Sequence, residues 1–346
     1  MPKGTIIVTG SNGGIGSSIV SRIIKSPELA SYHGIYTVRD ASSSPLQLLC
    51  DVISTTVHSY ELLFLELSSL DSVREFAATI NARVAAGEIP PIRALILNAG
   101  YQELESQSFT DDGFSMTFAA NYLGHWLLVL LLLQGVDSEA CRIVVIGSKA
   151  HNPYLKRNTR SFKDERWKMV LHQSTDPIAR GTWSAFEEDP SWMRHTHYQA
   201  YLLELTKSSE ELQRRLNADP KLKNISVLGV DPGTVPTGIG CHSPWFIRVL
   251  MFQVIFPAIA ALQAWLYPKG NNSIRTADKS AGDILAAAFD NNPLLGEHPK
   301  GLYFDGSELA ETSAESKDPK KREMLWKDSV RYTKLQRAET VLRNWE

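Results

Sequence analysis

Cysteine is scarce in this sequence, and neither sign of charge dominates it. Three cysteines in 346 residues argue against a disulfide scaffold and suit a reducing compartment better. None of them has a second cysteine or a histidine at metal-ligand spacing, so we predict no metal site. The chain has 36 basic and 38 acidic residues, for a formal net charge of -2. This balance gives no electrostatic support to nucleic acid as a partner.

The sequence also lacks an apolar leader with a cleavage site before its first predicted strand, so we expect a cytoplasmic protein. One long apolar run is present, at 244–268. A helix that spans a membrane would have to bury Arg248, Gln253 and Gln263 and accommodate Pro257, so a span is not expected. We predict an apolar helical lid over the substrate here, and contact with a membrane surface is the alternative.

Short runs of apolar and β-branched residues alternate with helical patterns along most of the chain. The predicted strands lie at 5–8, 34–38, 61–65, 92–97, 141–146 and 225–230. Strands that are apolar throughout and separated by helices are typical of a buried parallel sheet. Right-handed crossovers then give an α/β fold with a doubly wound parallel sheet, the Rossmann fold. We expect a single domain over 1–346 with its core at 4–305.

Two further segments depart from this alternation. Residues 149–196 form a long polar insertion, which is usually functional or mobile. Residues 315–346 are rich in charge and favour a helix. We expect a C-terminal helical tail that is solvated except for apolar anchors at Met324, Leu325 and Val330.

Glycine recurs between the first strand and the helix that follows it, in the sequence TGSNGGIG at 9–16. Backbone without a Cβ atom turns tightly and can approach a pyrophosphate closely. The first amides and the positive dipole end of the following helix favour the phosphate charge. We therefore predict a dinucleotide site at this turn.

The end of the second strand carries Arg39, followed by Asp40. A guanidinium fork matches the oxygens of a 2′-phosphate, whereas a carboxylate would hold the two ribose hydroxyls of NAD. Arg39 favours NADP(H) as the cofactor, and Asp40 weakens that preference.

Together with further motifs in a fixed order, these residues make the chain resemble the short-chain dehydrogenase/reductase superfamily. The motifs are TGSNGGIG at 9–16, NAG at 98–100, Asn121, Ser148, Tyr198 and DPGTVPT at 231–237. The resemblance covers about residues 4–240. It is closest to extended reductases related to retinol and 3-ketosteroid reductases, many of which belong to fungal natural-product pathways.

The resemblance implies a role for each motif. Tyr198 would protonate the alkoxide formed from a ketone, Ser148 would donate a hydrogen bond to the carbonyl, and Asn121 would help hold a water relay. Glu66 would approach the adenine. The residues implied to contact the cofactor are Gly10, Ser11, Asn12, Gly14, Ile15, Gly16, Arg39, Glu66, Leu67, Asn98, Ala99, Gly100, Pro232, Gly233, Val235 and Thr237.

The lysine that the superfamily places four residues after the tyrosine is replaced here by Leu202. A lysine on that helical face would lower the pKa of Tyr198 and anchor the ribose, and leucine does neither. Lys207 falls on the opposite face of the helix, and strand alternation points Lys149 away from the site. The developing phenolate thus lacks a cation, at a cost of about 2–4 kcal/mol of transition-state stabilisation.

Three functions remain open. The first is an NADP(H)-dependent reductase or dehydrogenase of a carbonyl or alcohol in an apolar polycyclic or polyketide-like metabolite. The second is a non-redox isomerase or cyclase on the same scaffold, favoured by Leu202, in which Ser148, Tyr198, His195 or His197 would move protons. The third is a catalytically silent cofactor-binding protein.

The oligomeric state is also open between monomer and homodimer. In much of the superfamily the helices that carry Asn121 and Tyr198 form a four-helix dimer interface. The apolar residues 126–133 are compatible with that interface and equally with burial under the sheet.

Overall fold

The strands of this protein form one mostly parallel sheet. In the computed structural model the described residues are 2–39, 50, 58–103, 106–158, 165–171, 173–183, 209–237, 247–267, 270–291 and 296–346. The described strands are β1 (Thr5–Val8), β2 (His33–Val38), β3 (Tyr60–Phe64), β4 (Ile92–Leu97), β5 (Arg142–Ile146), β6 (Ser226–Asp231), β7 (Tyr303–Asp305) and β8 (Glu308–Ala310). Their order across the sheet is β3-β2-β1-β4-β5-β6-β7-β8, and only the pair β7–β8 is antiparallel. The predicted strands are confirmed to within one residue at each end.

Helices cover both faces of this sheet. They are α1 (Gly14–Lys25), α2 (Leu70–Ala85), α3 (Met116–Phe118, Ala119–Leu123 and Gly124–Leu132), α4 (Asp176–Ala179), α5 (209–218), α6 (Ile247–Ile255 and Phe256–Leu266), α7 (Ala277–Phe289) and α8 (Pro319–Thr333). The stretches Ala119–Leu123 of α3 and Ile247–Ile255 of α6 are π-helical. One apolar cluster joins the sheet to α1 and α7, and another joins it to α2, α3, α5 and α8. The predicted doubly wound α/β fold is confirmed.

The helix α1 illustrates how the sequence directs this layering. Its apolar side chains Ile19, Val20 and Ile23 are all buried, because Ile23 follows the other two by four and three residues and so shares their face of the helix. On its other side Arg22 donates two hydrogen bonds of 2.8 Å to Asp278 of α7. The two helices are thus fixed side by side on the face of the sheet that supports the glycine turn.

The tail is helical as predicted, at Pro319–Thr333, and the anchor Leu325 is buried while Met324 and Val330 pack partly buried against the core, but the helix is less solvated than we expected. Leu325, Trp326 and Tyr332 of α8 are buried, and Leu342 beyond the helix is buried as well. The indole of Trp326 packs edge-on against Trp126 of α3, with ring centroids 5.2 Å apart. The charged side chains of the tail therefore cover only its outer surface, and its inner surface belongs to the core.

The described part of the 149–196 insertion also contributes to the core. Val170, Leu171 and Ile178 are buried, so this part of the insertion is less polar in its packing than its composition indicates. The backbone amides of Val170 and Leu171 donate to the carboxylate of Glu315, at 2.9–3.2 Å. These hydrogen bonds therefore connect the insertion to the tail. Its residues 159–164, 172 and 184–196 lie outside the described part.

The apolar segment predicted as a lid is helical where the structure describes it, at 247–267; residues 244–246 and 268 lie outside that part. Of the residues there whose burial is described, only Ala260 is buried. Trp265 is 78% exposed, and Leu262 and Tyr267 are also exposed. Among the described residues, α6 and the other helices are too short or too polar to cross a bilayer.

Candidate active site

The sequence motifs follow strands that end at one edge of the sheet. The chain leaves β1 at Thr9, β4 at Asn98, β5 at Gly147 and β6 at Pro232, and these four strands are neighbours and parallel. The strand order reverses between β1 and β4, which opens a crevice at the carboxyl ends of the strands. The carboxyl edge of the sheet is therefore where a ligand would bind.

The turn after β1 requires glycine at the predicted positions. Gly10 has a φ of +66°, and a Cβ atom there would lie 2.8 Å from the Cα of Ala99. A Cβ atom on Gly16 would lie 2.3 Å from the carbonyl oxygen of Gly10. The chain thus approaches itself as closely as backbone permits, and Gly14 begins the helix whose first amides lack partners within the helix. This cradle fits the pyrophosphate of a dinucleotide.

The other residues of the turn divide between support and exposure. Ser11 is buried, and its hydroxyl donates to the carbonyl of Val8 at 2.8 Å, so its side chain holds the turn in shape. Asn12, Gly14 and Ile15 are half-buried at the crevice. They are the members of the predicted set whose surfaces a cofactor could cover.

The NAG segment after β4 supports the same turn. The amide of Asn98 donates to the carbonyls of Thr9 and Gly10, at 2.9 and 3.2 Å. The backbone N–H groups of Asn98 and Ala99 both donate to the hydroxyl of Thr9, at 2.9 Å each. Gly100, the next residue, is exposed. The side chain of Asn98 therefore orders the turn itself, and Gly100 offers the open surface.

Arg39 extends from the end of β2 and is 60% exposed. Its guanidinium lies 3.9 Å from the carboxylate of Glu66 and 5.9 Å from the centre of the Tyr101 ring. Glu66 also accepts hydrogen bonds from the backbone N–H and the hydroxyl of Ser68, at 2.9 and 2.7 Å. Leu67, by contrast, is buried in the core. Arg39 and Glu66 together form a polar rim at the end of the crevice nearest β2.

Ser148 lies just beyond β5, with its hydroxyl at the carboxyl edge of the sheet. That oxygen accepts a hydrogen bond from the backbone N–H of Ala150 at 3.1 Å. A hydroxyl that accepts one hydrogen bond still has its own proton to donate. Ser148 can therefore donate to a substrate oxygen while the following turn fixes its position.

Asp231 connects two segments of the candidate site through contacts that the sequence did not reveal. One carboxylate oxygen accepts from the backbone N–H of Lys149 at 3.0 Å, and the other accepts from that of Gly233 at 2.8 Å. It thus ties the turn after Ser148 to the loop at 232–237, which contains four of the residues predicted to contact the cofactor. The three residues DPG at 231–233 indicate only a turn, and Lys149 comes beside Asp231 only in the folded chain.

The prediction from strand alternation assumed that Lys149 lies in a strand, but Lys149 begins a short 3₁₀ turn after β5 (Lys149–His151), and it forms an ion pair with Asp305 of β7. Burial raises the pKa of the Asp305 carboxyl, but hydrogen bonds from Lys149 and Arg275 outweigh burial and hold that pKa below its usual value. Asp305 is therefore ionised near neutral pH. Asp305 therefore pairs with the ammonium group of Lys149, which is the lysine nearest in sequence to Ser148.

The loop after β6 meets the glycine turn directly. A Cβ atom on Gly14 would lie 2.6 Å from the methyl group of Thr237. Gly233 has a φ of +76°, Val235 is buried, and the carbonyl of Pro232 accepts from Ser280 at 2.7 Å. The structure therefore brings the two predicted cofactor segments together.

Asn121 lies in the π-helical stretch of α3 and is buried. Its side-chain oxygen accepts from the backbone N–H of Tyr101 at 2.7 Å, and its amide donates to the carbonyl of the same residue at 2.8 Å. π-Helical turns occur frequently at functional sites. The side chain of Asn121 is thus paired with the backbone after the NAG segment, and its part in a water relay stays a prediction.

A buried histidine beside Asn121 was missed from the sequence. His125 accepts or donates at both ring nitrogens, with Thr9 at 3.0 Å and the carbonyl of Asn121 at 3.2 Å. A histidine four residues after Asn121 shares its helical face, and that spacing is the signal that could have found it.

The predicted proton donor Tyr198 lies outside the described residues, as do Leu202, Lys207, Asp40 and the two histidines at 195 and 197. The described part of the site therefore comprises the cofactor cradle, Ser148 and Asn121.

Comparison with known proteins identifies the family. The family described as short chain dehydrogenase matches residues 4–159. Short-chain dehydrogenase iccH of Talaromyces variabilis is 42% identical over 366 aligned positions, which cover 99% of each chain. The protein belongs to the short-chain dehydrogenase family. Its members are oxidoreductases that bind nicotinamide cofactors.

More distant proteins share the same architecture. Retinol dehydrogenase 13 of Homo sapiens is 28% identical, over 97% of this chain and 86% of its own. The crystal structure of the angucycline C-6 ketoreductase LanV, with bound NADP, is 15% identical with a TM-score of 0.53, over 89% of this chain and 95% of its own. At that identity the likeness to LanV concerns the fold.

Proposed function

We propose that this protein is an NADP(H)-dependent reductase or dehydrogenase acting on a carbonyl or alcohol group of an apolar polycyclic or polyketide-like metabolite. The observation that carries the proposal is the joint position of the glycine cradle, Ser148 and Asn121 at the carboxyl edge of the sheet. Family membership supplies the redox chemistry, because the nicotinamide, when bound, provides or accepts the hydride.

In this proposal the protein's own groups orient the substrate and handle the proton. Ser148 donates a hydrogen bond to the substrate oxygen, and Asp231 keeps the turn after Ser148 in position. Tyr198 holds the proton that the oxygen receives, since a tyrosine with an ordinary pKa near 10 is protonated at neutral pH. Leu202 offers no cation to the resulting phenolate, so we expect turnover slower than in a homologue with lysine.

The preference for NADP(H) rests on Arg39. Its exposed guanidinium can turn from Glu66 to a 2′-phosphate, because an ion pair of 3.9 Å in solvent is weak. Replacing Arg39 with Ala should raise the KM for NADPH by about 10–100-fold, as expected for loss of a charge-assisted contact. The KM for NADH in the same variant is the internal control and should change little. Equal changes for both cofactors would contradict the assignment.

Two observations support an apolar substrate. The relative retinol dehydrogenase 13 is named for retinol, a largely hydrocarbon alcohol. Leu262 and Trp265 of α6, together with Tyr267 directly after it, are exposed and form an apolar surface. Such a surface suits contact with an apolar ligand.

We also propose that this side of α6 touches a membrane surface, where such a substrate would dissolve, while the protein itself resides in the cytoplasm. Residues 249–267 contain no charged side chain, and Arg248 and Lys269 flank them. Aromatic and leucine side chains flanked by basic residues suit an anionic bilayer interface. When the protein is sedimented with vesicles of anionic phospholipid, wild type should leave the supernatant with the vesicles, and Trp265→Ser should stay in the supernatant. Equal recovery of both proteins from the supernatant would contradict lipid contact. A dimer mass for wild type but not for Trp265→Ser would also contradict it, because the apolar surface would then bind a second copy of the chain.

The decisive experiment follows NADPH consumption at 340 nm with a panel of polycyclic and polyketide-like ketones. Wild type, Ser148→Ala and Leu202→Lys are compared, and every product is weighed by mass spectrometry. A product two hydrogens heavier than its substrate, lost in Ser148→Ala, is the expected result, and Leu202→Lys should be faster. A wild type that reduces none of the ketones while Leu202→Lys is active would contradict the redox assignment.

The second candidate is a non-redox isomerase or cyclase, and Leu202 is the observation that favours it. The lysine is the residue that hydride transfer would most miss, and in a non-redox reaction Ser148, Tyr198, His195 or His197 would act as proton donors or acceptors. This function predicts a product of the same mass as the substrate and no net use of NADPH.

A further inference from the structure

His125 is a buried titratable group that none of the proposed chemistry uses. Its side chain is 1% exposed and lies inside α3, four residues after Asn121. Burial without a compensating contact is costly for an imidazole, so the partners of its two ring nitrogens define what it does.

The hydrogen bonds around Thr9 determine which nitrogen carries the proton. The hydroxyl oxygen of Thr9 accepts from the N–H groups of Asn98 and Ala99, at 2.9 Å each, which fills its acceptor capacity. Its own proton must therefore be donated. His125 Nε2, at 3.0 Å, is nearer than the alternative acceptor, a carbonyl of β4 at 3.5 Å that already accepts from the N–H of Thr9.

The imidazole is consequently neutral, with its proton on Nδ1. Nδ1 donates to the carbonyl of Asn121 at 3.2 Å. A single line of hydrogen bonds thus runs from the NAG backbone through Thr9 and His125 to Asn121. It ends on backbone N–H groups at Thr9, so it offers no exit for a proton and cannot serve as a relay.

We propose that His125 is a positioning residue that sets the Asn121 turn of α3 against the cofactor-binding turn. Asn121 is then held from two sides, through its side chain by the backbone of Tyr101 and through its carbonyl by His125. Asn121 lies in the π-helical turn, and such turns occur frequently at functional sites. The kinetic part of this inference rests on the proposed function.

The test compares two replacements of His125. Glutamine can accept from Thr9 and donate to the Asn121 carbonyl, whereas phenylalanine fills a similar volume and does neither. His125→Phe should lower kcat by about tenfold or more with little change in the KM for the carbonyl substrate, since small displacements at a catalytic group cost rate. His125→Gln should restore most of kcat. Lower thermal stability with unchanged kcat in His125→Phe would overturn the proposal.

A second readout requires no turnover. Amide hydrogen exchange at residues 98–101 should be faster in His125→Phe than in wild type and should return to the wild-type rate in His125→Gln. Leu127→Val is the matched control, because it loosens a fully buried position of α3 without touching the hydrogen bonds. Unchanged exchange at 98–101 in His125→Phe would overturn the role of His125, whereas an inert wild type with the expected exchange pattern would overturn only the proposed function.

Discussion

Gly124 marks a point where two backbones meet. A Cβ atom at this position would lie 2.0 Å from the carbonyl oxygen of Leu67, and backbone cannot move aside as a flexible side chain can. Gly124→Ala should therefore reduce the free energy of unfolding by about 3 kcal/mol, in the upper range for overpacking. Denaturant unfolding would measure the loss. Gly87→Ala is the control, since no atom lies within 4 Å there and only its φ of +71° is unfavourable, at about 1 kcal/mol.

His125 should make the stability of the folded chain depend on pH. Burial lowers the pKa of its imidazole from 6.5 to about 4, so folding favours the neutral ring. Its contribution is complete above about pH 6.5 and is lost as the pH falls toward 4. Between pH 7.5 and 5 the loss is about 2 kcal/mol.

The difference between wild type and His125→Gln isolates this contribution. Burial also lowers the pKa values of His33 and His58, and they titrate in both proteins. Unfolding free energies measured from pH 7.5 to 5 should fall more steeply in wild type than in the variant. Parallel profiles would contradict a buried, neutral His125.

Single residues also show the limits of prediction from sequence. The motifs located the glycine turn, Asn98 and Ser148 correctly at one edge of the sheet, because strand ends in a parallel sheet have a fixed location. The partners of Asp231 and His125 could not be predicted, since each bridges segments more than 80 residues apart in sequence. The same holds for Ser11, whose motif position does not reveal that its hydroxyl bonds inward.

At the scale of elements, α8 is the part of the tail that matters most for stability. Trp326 contacts Trp126, lies 4.4 Å from the guanidinium of Arg215 and donates from its indole nitrogen to the carbonyl of Trp345 at 2.7 Å. Trp326→Ala should therefore cost about 3–5 kcal/mol of unfolding free energy. Lys327→Ala, at a neighbouring side chain that is 66% exposed, should change it by less than about 0.5 kcal/mol. Similar losses in both variants would contradict the burial of α8.

The helices and strands differ in how far sequence could predict them. β1 to β6 were predictable because each has four to six residues and contains a short run of apolar or β-branched side chains. β7 and β8 have three residues each, too few to show a period. The burial of α8 was predicted only at its three anchors, because charged residues surround Trp326 and its part of the apolar face is recognisable only against α3.

For the whole molecule, the tail decides which surfaces are available for association. Every residue of the α3 stretch Gly124–Leu132 is buried within one chain, and the hydroxyl of Thr340 donates to the carbonyl of Leu130 at 2.8 Å. A face that the chain covers itself cannot also form a dimer interface. Sedimentation should therefore give a mass near 38.5 kDa, and a variant truncated before Pro319 should self-associate. A stable dimer of the full chain would contradict this expectation.

The same contacts bear on how the chain is synthesised. Tyr122 and Leu130 of α3 meet Ser329 and Thr340, which are translated much later. Roughly 190 residues separate the end of α3 from the start of α8, so at about 5–20 residues per second the leucine-rich helix waits about 10–40 s for its cover. During that interval the nascent chain presents an apolar helix to its surroundings. The yield of folded protein should therefore depend on chaperones that bind such segments, and a ribosome that stalls before Pro319 would release an aggregation-prone product.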